Sequence, residues 1–75
     1  MKYIVNSQVH KAVNLANVTD IFISNNYLML SLTDGREMRF LYGTENALNK
    51  VFNRIMDFIN EDGTKILDCN KFLSE

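Results

Sequence analysis

The segment Leu28–Tyr42, LMLSLTDGREMRFLY, constrains the fold of this chain more than any other stretch. Two runs of β-forming residues flank Asp34–Gly35, a dipeptide typical of a two-residue hairpin loop, so the segment predicts two antiparallel strands. Asn25–Asn26 predicts another two-residue loop just before it, because asparagine tolerates positive φ. The sequence therefore predicts a β-meander here, and two shorter strands are predicted upstream, over residues 3–5 and 9–15.

Both faces of this predicted meander carry large apolar side chains. With two-residue loops, one face holds an aliphatic set that Glu37 and Arg39 interrupt: Ile21, Ile23, Leu28, Leu30, Leu32 and Leu41. The other face also holds Val18 and is named the aromatic–methionine face for its main members: Phe22, Tyr27, Met29, Met38, Phe40 and Tyr42. Exposing either face would present an apolar patch above the few hundred Å² that monomers usually tolerate, so we expect both faces to be covered.

One long amphipathic helix is predicted after the meander. Thr44 is its predicted N-cap, Glu45 is favourable in its first turn, and Gly63 is predicted to end it in the C′ position. Apolar residues recur at i, i+3, i+4 and i+7: Leu48, Val51, Phe52, Ile55, Phe58 and Ile59. Because one helix covers one face of the sheet, the other face is left to the chain termini, a second copy of the chain or a different protein.

The chain, residues 1–75, is predicted to be a single α+β domain. Residues 1–43 are predicted to form an antiparallel β-meander of four to five strands. Residues 44–62 are predicted to form the long amphipathic helix on one face of that meander. Residues 63–75 are predicted to form a short strand, KILDC, and a tail that adds a turn of helix.

Composition narrows the classes of function. Eight Lys and Arg residues stand against nine Asp and Glu, for a net charge of −1, so charge gives no argument for binding nucleic acid or an anionic membrane. No apolar run approaches the roughly 20 residues that span a bilayer. Cys69 is the only cysteine and His10 the only histidine; we therefore expect no disulfide, no metal site and no cofactor. The single thiol and the lack of a secretory leader predict a cytoplasmic protein.

No residue pattern predicts catalysis. The P-loop, the dinucleotide-binding glycines and the nucleophile elbow are absent from the sequence. His10 has no neighbouring Ser, Cys or Asp that would make it a general base, and we expect it to be a surface residue. Cys69 has no neighbouring cation to lower its pKa, and we expect a buried apolar role for it. The sequence therefore predicts that the protein is not an enzyme.

Two resemblances bear on function. A β-meander followed by one helix resembles the whirly-type single-stranded DNA-binding fold of transcriptional coactivators, which dimerises; this resemblance implies nucleic-acid contacts from Arg36 and Arg39. In its small size, its ten asparagines and its lack of proline, the chain also resembles accessory proteins of bacteriophages and prophages from low-GC bacteria. Several of those proteins inhibit host defence or nucleic-acid-processing machinery by occupying a surface of a larger target.

The sequence as a whole predicts a non-catalytic protein-interaction module. We expect a homodimer that binds, and thereby inhibits, a larger host protein through the aromatic–methionine face. One alternative is a dimeric single-stranded nucleic-acid-binding protein. A second alternative is a structural subunit of a larger assembly, which predicts the same buried residues.

Overall fold

The computed structural model describes residues 1–72, in which six strands, one α-helix and three short 3₁₀ helices follow one another. The strands and the helix are β1 (Tyr3–Asn6), β2 (Lys11–Asn14), β3 (Val18–Ser24), β4 (Tyr27–Leu32), β5 (Glu37–Tyr42), α1 (Glu45–Asn60) and β6 (Ile66–Asp68). The 3₁₀ helices are Ser7–Val9, Leu15–Asn17 and Cys69–Phe72. The α+β class with one amphipathic helix is confirmed. The last residues of the predicted tail, 73–75, lie outside the described residues.

The strands are divided between two three-stranded sheets. β3, β4 and β5 form an antiparallel meander, as predicted, which we call the second sheet. In the first sheet, β1 lies between β2, which is antiparallel to it, and β6, which is parallel to it. The first sheet forms because the chain reverses through the 3₁₀ turn after β1, where His10 takes a left-handed φ of 56°. The strand predicted over residues 9–15 is accordingly shorter.

The loop between β3 and β4 has the predicted length. Asn25 and Asn26 take φ of 53° and 64°, which matches a type I′ turn, and Ser24 pairs with Tyr27 across it. The two-residue loop is therefore confirmed, and the faces of β3 and β4 follow the predicted alternation.

The loop between β4 and β5 is one residue longer than predicted. The backbone N–H of Leu32 donates to the carbonyl of Arg36 at 2.8 Å, so residues 33–35 form a three-residue loop. Gly35 takes a φ of 89°, the left-handed residue that such a loop requires. The two-residue prediction was wrong because a glycine with positive φ suits either loop length.

The extra loop residue changes which side chains of β5 share a face. Met38 lies opposite Leu30, on the inner face that packs against α1, while Arg39 lies opposite Met29, on the outer face. Glu37, opposite Ser31, also moves to the outer face. The slip removes both charged residues from the core side of the sheet, and the predicted place of Met38 in the aromatic–methionine face is wrong.

Phe40 lies at an irregularity in the ladder. The pairs Met29–Arg39 and Leu28–Leu41 leave Phe40 as the extra residue of a β-bulge. Its side chain is 1% exposed and belongs to the hydrophobic core, so its predicted place in the aromatic–methionine face is also wrong. The bulge restores the alternation beyond it, because Leu41 is buried and Tyr42 is exposed, on the opposite faces that the sequence predicted for them.

One hydrophobic core lies between α1 and the two sheets. The helix contributes Leu48, Val51, Ile55 and Phe58, all fully buried. The strands and the residues after them contribute the rest of the core: Ile4, Val13, Leu28, Leu30, Phe40, Leu41, Leu67 and Cys69.

Both ends of α1 have polar caps. Thr44 is the N-cap, as predicted, and its hydroxyl accepts the N–H of Ala47 at 3.2 Å. At the other end, Nζ of Lys2 donates to carbonyls of the last turn and to that of Glu61. This ammonium group satisfies acceptors that a glycine motif would otherwise bind. The helix ends at Asn60 because Glu61 is extended, with φ of −81° and ψ of 144°, so the end predicted from Gly63 was too late.

Candidate interaction surfaces

The outer face of the second sheet keeps four of the six predicted interface residues. Phe22, Tyr27, Met29 and Tyr42 remain there, joined by Arg39. The rings of Tyr27 and Tyr42 are edge-to-face, with centroids 5.2 Å apart. The Arg39 guanidinium lies 5.2 Å from the Tyr27 ring centroid, in cation–π geometry. This face therefore mixes aromatic and charged groups and is less apolar than the sequence predicted.

The two arginines predicted to contact nucleic acid lie in different places. Arg39 lies on the outer face, beside a cavity of about 370 Å³ that Tyr27, Tyr42 and Lys11 also line. Arg36 lies in the β4–β5 turn, where its Nε donates to the Asp34 carboxylate at 2.6 Å. The backbone N–H of Arg36 is the main cause that lowers the pKa of Asp34. The structure therefore does not bring the two arginines together.

The outer edge of β5 is covered by side chains of the first sheet. Nδ2 of Asn6 donates to the carbonyl of Phe40 at 2.8 Å, and Asn6 is only 6% exposed. Nζ of Lys11 donates to the carbonyl of Arg39 at 3.1 Å in a more exposed position. These two bonds occupy acceptors that an added strand would need.

The opposite edge of the second sheet, along β3, is open. Ser24 and Phe22 exchange backbone hydrogen bonds with β4, so the backbone groups of Ile21 and Ile23 point away from the sheet. Among residues 1–72, no hydrogen-bond partner is found for them. A bulge at Thr19 and the charge of Asp20 protect the start of this edge. The unprotected part is thus Ile21–Ser24.

One stripe of α1 runs beside this open edge. Its residues recur at alternating spacings of four and three, which places them on one side of the helix: Glu45, Asn49, Phe52, Met56 and Ile59. The stripe is polar near Ile23 and apolar near Ile21. We name the space between this stripe and the β3 edge the β3 trench.

The β3 trench contains two cavities. The larger, about 630 Å³, has Ile21, Phe52, Met56 and Ile59 among its lining residues and is mainly apolar. The smaller, about 330 Å³, is lined by Ile23 and by polar residues that include Asn49 and Glu45. Ile59 is 45% exposed, and Phe52 and Met56 are half-buried, so the apolar end of the trench is open to a ligand.

Two carboxylates and one ammonium group border the β3 trench. Asp20 and Glu45 are exposed, and no salt bridge to either is found among the described residues. Lys2 lines the apolar cavity, but its ammonium group is bound to the helix carbonyls. Glu45 is the only charged residue that lines the smaller cavity, so the charge at that end of the trench is negative.

The residues singled out for possible chemistry are separate from this trench. Cys69 is fully buried, as expected; burial raises the pKa of its thiol to about 12, and the nearby Asp68 carboxylate adds to the shift. His10 is exposed in the turn before β2. Within residues 1–72, no cluster of three His, Cys, Asp or Glu side chains has a geometry that could hold a metal ion.

Comparison of the chain with protein-family models, with curated proteins and with solved structures finds no match in any of the three. Across the described range, no helix is both long enough and apolar enough to cross a membrane.

Proposed function

We propose that this chain is a non-catalytic protein-interaction module that binds an extended segment of another polypeptide along the β3 trench. The observation that supports this proposal is the unpaired backbone of Ile21 and Ile23 beside an apolar cavity. Strand addition of this kind uses main-chain hydrogen bonds for affinity and side-chain pockets for specificity. The exposed Ile59 and the half-buried Phe52 provide the apolar contact area for such a partner.

Selection from a displayed random-peptide library against the immobilised chain tests this proposal. We expect peptides with alternating apolar residues to be enriched, and we expect Ile21→Pro to abolish their binding, because proline removes the outward N–H. Ile21→Thr is the matched control, since it shortens the side chain but keeps the N–H and the β-branch. Peptides that bind both variants equally, or a selection that yields no binding peptide, would contradict strand addition.

Folding of the variants is checked separately by circular dichroism and thermal melting. The N–H of Ile21 takes no part in the β3–β4 ladder, so both variants are expected to keep the helix signal. If the Ile21→Pro variant loses that signal, Ile23→Pro is tested in its place, because the N–H of Ile23 also points outward.

The homodimer and the inhibition of a larger target are proposals that extend this function. For a dimer, the remaining outer-face residues Phe22, Tyr27, Met29 and Tyr42 are the proposed interface. Sedimentation velocity over a concentration series tests it: we expect a dimer that Tyr42→Asp weakens. A single monomeric species at every concentration would contradict the dimer.

Binding of single-stranded nucleic acid is a second candidate, supported by Arg39, Tyr27 and Tyr42 beside Lys11 on the outer face. Aromatic side chains and arginine planes stack bases, and the two cations suit a phosphate. Fluorescence polarisation with a labelled oligothymidylate tests it, with salt-sensitive binding expected. Arg39→Gln should weaken that binding, whereas Arg36→Gln, in the distant turn, should leave it unchanged; equal effects would contradict this site.

A further inference from the structure

We infer that the partner strand of the β3 trench carries an apolar side chain two residues away from a lysine or arginine. This inference deepens the proposed function and rests on it. The juxtaposition that carries it is an apolar cavity at Ile21 and an acidic, polar cavity at Ile23, both on the same open strand edge.

The spacing of the two cavities follows from strand geometry. Residues of an added strand that lie opposite Ile21 and Ile23 project to the same face as those two side chains. That face is the one toward α1, so both side chains enter the trench. Alternate side chains of a strand are about 6.6 Å apart along its axis, and the two cavities are lined by alternate β3 residues, Ile21 and Ile23. One partner residue therefore meets each cavity.

The chemistry of each cavity defines the residue it accepts. The side chain opposite Ile21 meets Phe52, Met56 and Ile59 and has to be apolar to replace the water there. The side chain opposite Ile23 meets Glu45 and Asn49 and no cation among the lining residues. A lysine or arginine at that position neutralises the carboxylate and donates to the amide oxygen.

Charge argues against a second copy of the chain as the occupant. The only charged residue of β3 is Asp20, so antiparallel pairing of β3 with itself brings no cation to Glu45. The one charge that a second β3 strand brings is a carboxylate, which has the same sign as Glu45. Electrostatic complementarity thus favours a different, basic partner.

Short fluorescein-labelled peptides test the inference directly. The probes carry a central Leu-Thr-Lys or its reverse, Lys-Thr-Leu, within an alternating threonine background, because the strand direction is a variable of the test. Their comparison peptides replace lysine with glutamate, or leucine with serine. We expect one of the two lysine probes to bind about tenfold more tightly than its glutamate counterpart, since an attraction is exchanged for a repulsion.

Two variants connect the preference to the proposed residues. Glu45→Gln should remove most of the difference between the lysine and glutamate probes while leaving the leucine–serine difference intact. Phe52→Ser should do the reverse. Asp57→Asn is the control, because this carboxylate is exposed on the helix and does not line the trench.

The possible outcomes distinguish a failure of this inference from a failure of the proposed strand addition. If the lysine and glutamate probes bind equally, or if Glu45→Gln leaves their difference unchanged, the inferred partner chemistry is wrong while strand addition stands. If neither the library selection nor the probes detect binding that Ile21→Pro abolishes, strand addition itself is wrong. A dimer that Ile21→Pro dissociates would identify a second copy as the occupant and overturn the inference.

Discussion

The two edges of the second sheet differ in their hydrogen bonds: the β5 edge accepts bonds from side chains of the first sheet, whereas the outward backbone groups of β3 have no such bond among residues 1–72. Asn6 and Lys11 donate to the carbonyls of Phe40 and Arg39 and so occupy acceptors of the β5 edge. On β3, the outward groups of Ile21 and Ile23 find no partner among residues 1–72. Unpaired edges are sites at which other strands pair, so the two edges differ in their capacity to bind.

This difference shows how a small chain distributes its polar side chains. Within residues 1–72, the hydrogen bonds that side chains of the first sheet donate to the second sheet are made at its β5 edge. At the β3 edge, protection is limited to the bulge at Thr19 and the charge of Asp20. The exposure that remains is local, and it coincides with the two cavities of the β3 trench.

The largest expected effect concerns Phe40, next to the covered edge. Phe40→Asp places a carboxylate in the core and removes a large apolar group, for a loss of about 4 kcal/mol or more in the free energy of unfolding. A domain of this size has roughly 3–5 kcal/mol to lose, so the variant should be unfolded by circular dichroism. Tyr42→Asp, at an adjoining but 64% exposed position on the same strand, should stay folded. A folded Phe40→Asp protein would contradict the bulge geometry.

Asn6→Ala should have the next largest effect. It leaves the buried carbonyl of Phe40 without a donor, which costs about 1–3 kcal/mol. Urea unfolding measures this change, and Asn53→Ala, on the exposed side of α1, is the control, with a shift within about 0.5 kcal/mol. Equal midpoints for the two variants would mean that Asn6 does not hold the edge of β5.

Lys11→Met tests the more exposed bond on the same edge. Water replaces the donor to the Arg39 carbonyl once the ammonium group is removed, so we expect a change of at most about 0.5 kcal/mol in urea unfolding. If Lys11→Met lowers the free energy of unfolding as much as Asn6→Ala does, the difference in burial between the two hydrogen bonds does not determine how much each one stabilises the fold.

Native-state hydrogen exchange perturbs the protein least, because it measures the protection of the amides along the open edge without any substitution. The amides of Ile21 and Ile23 should exchange much faster than that of Phe22, which is bonded to β4. NMR exchange spectra resolve these neighbours. Equal protection of all three amides would show that something already covers the β3 edge, such as a second copy.

The predictable parts of this fold are those that local chemistry determines. Asn25 and Asn26 both accept positive φ, so their loop length and the β3–β4 register follow from two residues. The helix follows from its apolar period and from the Thr44 cap. The β4–β5 register could not be predicted in this way, because Gly35 is compatible with two loop lengths. Both faces of the strands carry apolar residues, so the hydrophobic pattern does not favour one register over the other.

The candidate site was harder to predict than the fold. The stripe of α1 from Glu45 to Ile59 contains apolar residues that also fit a core helix, and only the position of the β3 edge distinguishes the two roles. Two sequence signals point toward it in retrospect: the alternating spacing of Phe52, Met56 and Ile59, and the two isoleucines at alternate positions of a strand with one charged residue. Neither identifies which edge of a sheet stays unpaired.

The parallel pairing of β1 with β6 has a consequence for how the chain is made. Residues near opposite ends of the sequence, Tyr3 and Ile66, become neighbours in one ladder. During synthesis, one edge of β1 therefore has no strand to pair with until residue 68 has emerged from the ribosome. The meander and the helix are complete before that point and can fold earlier. Shortening the chain before β6 would make that waiting state permanent.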